Sequence, residues 1–153
     1  MSTLNILTVN DNEPALRQKS QLISNNEITK PDMQKFFESL KETMYKKDGV
    51  GLAAPQVGQL LRVVCVNMEN NIAKIFINPH ITKKSWLKTI MEEGCLSIPG
   101  IYGKVKRPKK ITVSYQNRQG ESITEKMSPL ASRIIQHEID HLDGILFTDK
   151  IIK

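Results

Sequence analysis

The stretch SPLASRIIQHEIDHLDG, Ser128 to Gly144, constrains the architecture more than any other part of the chain. Ser128 suits a helix N-cap, Pro129 is pre-shaped for the first helical position, and Gly144 supplies a stop. Between them Leu130, Ile134, His137 and His141 fall at steps of four, three and four, which places all four on one helical face. The two histidines therefore prolong an apolar stripe and point into the protein. A buried imidazole is costly without a partner. Two of them one turn apart, about 6 Å along the axis, can aim at one ion. Neutral imidazole suits borderline divalent metals. Glu138, directly after the first histidine, sits where it can take a proton from water at such an ion. On its own this H-E-x-x-H segment fits several metallohydrolases, and also a pair of histidines hydrogen-bonded within a core.

The remaining segments set the company this helix keeps. Met33, Phe37, Leu40 and Met44 mark one face of a helix over Pro31–Lys47. GVGLAAPQVG, residues 49–58, is too rich in glycine, with a proline inside, for regular helix. LLRVVCVN and IAKIFINP read as strands bounded by Asn, Gly and Pro. A less regular extended region runs from Ile81 to Leu96. ITVSYQN alternates Ile111, Val113 and Tyr115 against polar partners, a half-buried strand. Asn117–Gly120 turns the chain back into Glu121–Lys126. No linker or repeat divides the sequence, so one domain over residues 1–153 is expected. The fold class is α+β: antiparallel β-sheets packed around a buried C-terminal helix carrying H-E-x-x-H, plus one N-terminal helix.

A catalytic metal site uses about three protein ligands and leaves a position for water. A zinc endopeptidase would take the third from downstream, but the nine residues after Gly144 contain neither His nor Glu. The third ligand is therefore sought upstream, and Cys95 in EEGCLSIPG is the best candidate, because thiolate is a strong, soft donor. A structural site closed by four protein ligands would need more cysteines than the chain offers. Cys65, inside LLRVVCVN, reads as a small buried hydrophobe. His80, after Pro79, reads as a surface residue in a turn. The net charge of +6 comes from 22 Lys+Arg against 16 Asp+Glu. Part of it is clustered at Lys46–Lys47, at Lys83–Lys84, and at Lys104, Lys106, Arg107, Lys109 and Lys110. This is a solvated face able to assist encounter with ribosomes. Aromatics at 5% leave no stacking platform. No apolar run reaches eighteen residues, and the N-terminus lacks the pattern of a secretory signal, so a cytoplasmic protein is expected.

Read together, GVGLAAPQVG, EGCLSIPG at 93–100 and QHEIDHLDG at 136–144 resemble the three motifs of the peptide deformylases, in the same order. The likeness extends to LRQKSQ near the N-terminus, FINP at 76–79 and GKVKRP at 103–108, and so covers nearly the whole chain. It implies a metallohydrolase that removes the N-formyl group from the initiator N-formylmethionine of nascent polypeptides, acting through metal-activated water. By motif match it implies Cys95, His137 and His141 as metal ligands and Glu138 as general base. Gln56 and the backbone N–H of Leu96 would bind the carbonyl oxygen, and the backbone at Gly51 the peptide. The metal implied is one ferrous ion per chain, with zinc, nickel or cobalt as replacements. Val50, Leu130 and Ile134, beside these motifs, are expected to line a pocket for the methionine side chain. Glu93 and Arg107 are expected to pair in support of the cysteine strand, whereas Asp140 and Asp143 carry no assigned role. A working monomer with transient ribosome contact is expected. Many family members continue into a longer C-terminal helix; this chain stops at Lys153.

Overall fold

In the computed structural model, which describes residues 3–153, three helical segments come first: α1 (Val9–Leu16), α2 (Asn25–Ile28) and α3 (Pro31–Lys46). Then follow β1 (Gly51–Ala53), a 3-10 turn (Ala54–Val57), β2 (Val63–Asn67), β3 (Ala73–Lys84), β4 (Lys88–Cys95), β5 (Ile98–Pro108), β6 (Ile111–Gln116) and β7 (Ser122–Lys126). The helix α4 (Pro129–Leu142) and a 3-10 turn (Phe147–Lys150) close the chain. Strands β1-β2-β3-β6-β7 form one antiparallel sheet in that order, and β4-β5 form a separate antiparallel ribbon. Met1 and Ser2, the start of the segment read for a secretory signal, lie outside the described residues.

Strand alternation explains how one sheet serves two cores. In β2 and β3 the side chains of Val64, Val66 and Phe76 pack with Ile135, Ile139 and Leu142 of α4. Their neighbours Val63, Cys65, Ile75 and Ile77 face the other way, against Phe37, Leu40 and Met44 of α3. Cys65 is fully buried, and burial pushes its thiol up to about 12. It is a packing residue, as read from the sequence.

Helix α4 begins as the sequence predicts. Ser128 is extended and its Oγ accepts the Ala131 N–H at 3.3 Å, with Pro129 in the first turn. It ends at Leu142, and just past its C-cap Asp143 the chain turns at Gly144, whose φ of +74° is left-handed. A side chain there would also strike the backbone of Arg17. The helix is buried on almost every side, so its polar residues need internal partners. Ser132 Oγ accepts the Ile111 N–H at 3.0 Å, and Gln136 Nε2 donates to the Pro108 carbonyl at 2.9 Å.

Three details differ from the sequence reading. Two short helices, α1 and α2, precede the expected N-terminal one; α1 carries Pro14 and a non-helical Asn12, which blunt its periodicity. His80 is exposed but sits within β3, opposite Ser114, because the ladder shifts register between Ile77 and His80 and so absorbs Pro79. Arg107 leaves the basic surface, for it points inward from β5 and is buried. Replacing the fully buried Ile135 by alanine should cost about 2–5 kcal/mol. The readout is a lower urea midpoint at unchanged slope; an unmoved midpoint would show that this core does not hold α4.

Candidate metal centre

The site is built where the ribbon's β4–β5 turn, the Gly51–Val57 segment and the middle of α4 converge. Cys95 closes β4, one turn before Ile98 opens β5. One ligand atom each from Cys95, His137 and His141 lie within 4.8 Å of one another. Cys95 Sγ is 3.3 Å from His141 Nε2. The i, i+4 spacing brings the two imidazoles edge to face, with ring centroids 5.1 Å apart. His137 Nδ1 is bound to Glu93 Oε1 at 2.9 Å, which leaves Nε2 as the nitrogen that faces the other donors. This is the arrangement of a carboxylate-supported metal ligand. Soft thiolate with two imidazoles suits iron or zinc, and the three donors converge closely enough to share one ion.

Glu93 is the hub of the support. Its carboxylate accepts Arg107 Nε at 2.6 Å and Arg107 Nη2 at 2.9 Å, a bidentate pair, and Arg133 Nη1 at 2.8 Å. Burial would raise the Glu93 carboxyl, but hydrogen bonds from Arg107, His137 and Arg133 hold it well below the usual carboxylate range. Arg107 also reaches Asp140 at 2.8 Å, and Asp140 pairs with Lys150 at 2.9 Å. Asp143 pairs with Arg62 at 3.0 Å. Arg133 is a residue the sequence reading missed. It lies one helical turn before His137 and spans β4 and β5 through the Thr89 and Val105 carbonyls, at 2.8 and 2.9 Å. Its i−4 spacing from His137 was the available signal.

The protonation states are set by burial and neighbours. Burial, with the charges of His137 and Arg107 adding to it, lowers His141 well below its ordinary value and keeps the ring neutral, as ligation requires. His137 is raised to about 10: burial opposes this, but hydrogen bonds to Cys95 and Glu93 and the charge of Glu138 prevail. A proton and a metal ion therefore compete for its Nε2. Burial pushes the Glu138 carboxyl up to about 7 against the opposing charges of His137 and Arg107. Glu138 Oε1 is buried with no hydrogen-bond partner, and the residue lines a cavity of about 750 Å³. A carboxylate of this kind, near neutral pH and open to the cavity, can exchange protons with a reactant.

Gln56 is only 2% exposed. Its Oε1 accepts the Ala53 N–H at 2.9 Å, which turns Nε2 toward Ser97 Oγ at 3.1 Å and Cys95 Sγ at 3.5 Å. Ser97 was not singled out in the sequence. The N-terminal segment clasps both loops: the Leu7 N–H donates to the Gln56 carbonyl at 2.7 Å and the Val9 N–H to the Ser97 carbonyl at 2.9 Å. Leu96 lies between Cys95 and Ser97 and lines the same cavity, together with Val50, Gly51, Leu130 and Ile134. Val50 and Leu130 are half exposed or more, so they form the cavity's apolar mouth, whereas Ile134 belongs to the core beneath it. At Gly51 a Cβ would lie 2.6 Å from Glu138 Oε2 and 2.9 Å from an Ile134 methyl. Glycine is required there by side-chain crowding.

The polypeptide deformylase family model matches residues 3–153. The chain is 45% identical to a peptide deformylase of Pseudothermotoga lettingae over 139 residues, covering 91% of this chain and 78% of that one. It is 44% identical to a peptide deformylase of Halothermothrix orenii, covering 100% of this chain and 96% of that one. Among solved structures it is similar to a peptide deformylase from Thermotoga maritima, with a TM-score of 0.93, 38% identity and 100% of each chain covered.

Two substitutions probe the support. Glu93→Gln leaves two buried guanidinium groups without their shared anion and should destabilise the fold by about 3–5 kcal/mol. Metal affinity should fall about 10- to 100-fold. Thermal unfolding and metal titration measure the two effects; wild-type values in both would remove Glu93 from its place at the hub. Gly51→Ala should cut turnover at least tenfold by displacing Glu138, with the bound metal retained. Full activity in that variant would show that the crowding at Gly51 is harmless.

Proposed function

The chain belongs to the polypeptide deformylase family, and from that premise we propose how its residues carry out the reaction. The enzyme is a metal-dependent peptide deformylase acting on formylated nascent chains. Residues 1–153 work as one catalytic domain. Cys95 Sγ and the Nε2 atoms of His137 and His141 hold the metal, a reading supported by their convergence within 4.8 Å. Ferrous iron is the ion we assign, with zinc, nickel or cobalt as replacements; the thiolate–imidazole donor set accepts each of them. When bound, such an ion supplies Lewis acidity toward water and the formyl oxygen.

The chain's own residues do the rest. Glu138 takes a proton from the attacking water and passes it to the amine nitrogen as the C–N bond breaks, releasing formate and a free α-amine. Its elevated pKa, set chiefly by burial, suits both halves of that transfer. Gln56 Nε2 and the backbone N–H of Leu96 donate to the formyl oxygen as it gains charge. The orientation of Gln56, fixed by the Ala53 N–H, supports this role. The backbone at Gly51 steadies the peptide, and Val50, Leu130 and Ile134 take the methionine side chain. A pocket of this kind separates side chains by roughly 1–3 kcal/mol per methylene-scale difference. No helix among the described residues is long and apolar enough to cross a membrane. We assign the enzyme to the cytoplasm, as a monomer in transient contact with ribosomes.

The observation that carries this reading is one cavity in which Cys95, His137, Glu138 and Gln56 meet. Anaerobic purification with metal analysis, followed by formate release from a formyl-Met peptide, tests it. One iron per chain and rapid formate release are expected; a metal-replete enzyme that releases none would overturn it. Glu138→Ala should retain the metal and lose about 10²- to 10⁴-fold in kcat. Gln56→Ala should lose about 10²- to 10³-fold, mainly in kcat. Near-wild-type turnover in either variant would strike that residue from the mechanism.

A further inference from the structure

The short connection from β3 to β4, which passes from the sheet to the ribbon, presents a surface the deformylation chemistry does not use. At its tip Trp86, the sole tryptophan of the chain, is 98% exposed, and the adjacent Leu87 is 60% exposed. The tip is held firmly by its backbone. The Ser85 N–H donates to the Lys110 carbonyl at 2.8 Å, the Lys109 N–H to the Leu87 carbonyl at 2.9 Å, and the Lys110 N–H to Ser85 Oγ at 3.0 Å. Ser85 Oγ in turn donates to the Leu87 carbonyl at 2.8 Å. Trp86 is thus carried outward on a braced turn with its ring free in water.

Charge surrounds this ring. Lys83, Lys84, Lys88, Lys106 and Lys110 are exposed, Lys109 is half-buried, and none of the six forms an ion pair among the described residues. Neither residues 82–90 nor residues 104–112 contain an acid. Six of the chain's 22 Lys+Arg residues are gathered around this tip. The ladder sets their layout. Lys83 and Lys84 lie opposite Thr112 and Ile111 on one side of the tip, while Lys88 and Lys106 run back along the β4–β5 ribbon on the other. The charges therefore follow the strands through the tip, with an aromatic face between them.

We propose that this tip binds RNA, a base stacking on Trp86 while neighbouring phosphates lie along the lysines. Phosphates supply the charge complementarity, and an exposed indole on a braced turn supplies a stacking face that accepts any base. A lipid surface would call for a broader apolar area to insert than two adjacent side chains. None of these residues lines the catalytic cavity, so the surface and the hydrolysis are separable.

The metal-loaded, full-length enzyme is titrated with a single-stranded RNA of about twelve nucleotides. With excitation at wavelengths the chain's three tyrosines do not absorb, its one tryptophan makes the emission report on Trp86 alone. Saturable quenching at low salt is expected. By anisotropy of labelled RNA, Trp86→Ala should bind about tenfold weaker or worse, and Trp86→Phe should restore most of the affinity. The double variant Lys84→Ala/Lys110→Ala should lower the salt slope by about 1.4, at roughly 0.7 for each phosphate no longer neutralised. Formate release should be unchanged in all three variants. Absence of binding at low salt, or equal affinity in Trp86→Ala, would overturn the proposal. So would a blue shift of the emission with phosphatidylserine vesicles while RNA leaves it unmoved, an outcome that assigns the tip to lipid.

Discussion

Three elements of different origin are pinned together by one carboxylate, that of Glu93. It arrives on β4, two residues before Cys95, and binds Arg107 from β5 and both Arg133 and His137 from α4. Each guanidinium is buried, so each would be prohibitively costly without an anion at hand. Stability alone does not explain this choice, since apolar residues could join the same elements as well or better. What apolar residues could not do is fix the rotation of the His137 ring. The hydrogen bond to Nδ1 turns Nε2 toward Cys95 and His141, so the same charge cluster that joins ribbon to helix also aims a ligand.

The helix itself makes such a cluster feasible. Because α4 is enclosed on nearly all sides, its polar residues find partners on several different elements: Ser132 on β6, Gln136 at the end of β5, Arg133 on both strands of the ribbon. Within the motif that satisfaction is incomplete. Glu138 Oε1 and His141 Nδ1 are buried without hydrogen-bond partners. Ser20 Oγ and Asn67 Oδ1 are left in the same way elsewhere, but on the helical turn that carries the chemistry a stability cost is tolerated for function.

Much of this was legible in the sequence, for physical reasons. Leu130, Ile134, His137 and His141 declared one helical face because the 3.6-residue period leaves little freedom. Ile111, Val113 and Tyr115 declared a strand face in the same way and are buried as read. Cys95 and Gln56 could be brought to the helix only by elimination and by motif, since nothing local encodes an approach between residues 39 or 46 positions apart. What stayed hidden was of that long-range kind. Arg133 and Ser97 look like ordinary polar residues until the ribbon folds over them. Arg107 read equally well as a surface charge or as a buried partner, and the inward pleat of β5 decided it. Trp86 was lost in an average: a low aromatic fraction says nothing about where a single ring is held.

The clasp of Leu7 and Val9 on the Gln56 and Ser97 loops has a consequence for how the molecule comes into being. The clasp and the metal centre it borders draw on residues far apart in the chain, from Leu7 to His141. During synthesis the first of these parts is available long before the last, because α4 must be made before two of the three donors exist. No partial product carries a working centre. The centre is therefore completed last, by the arrival of α4 against loops and a ribbon already made.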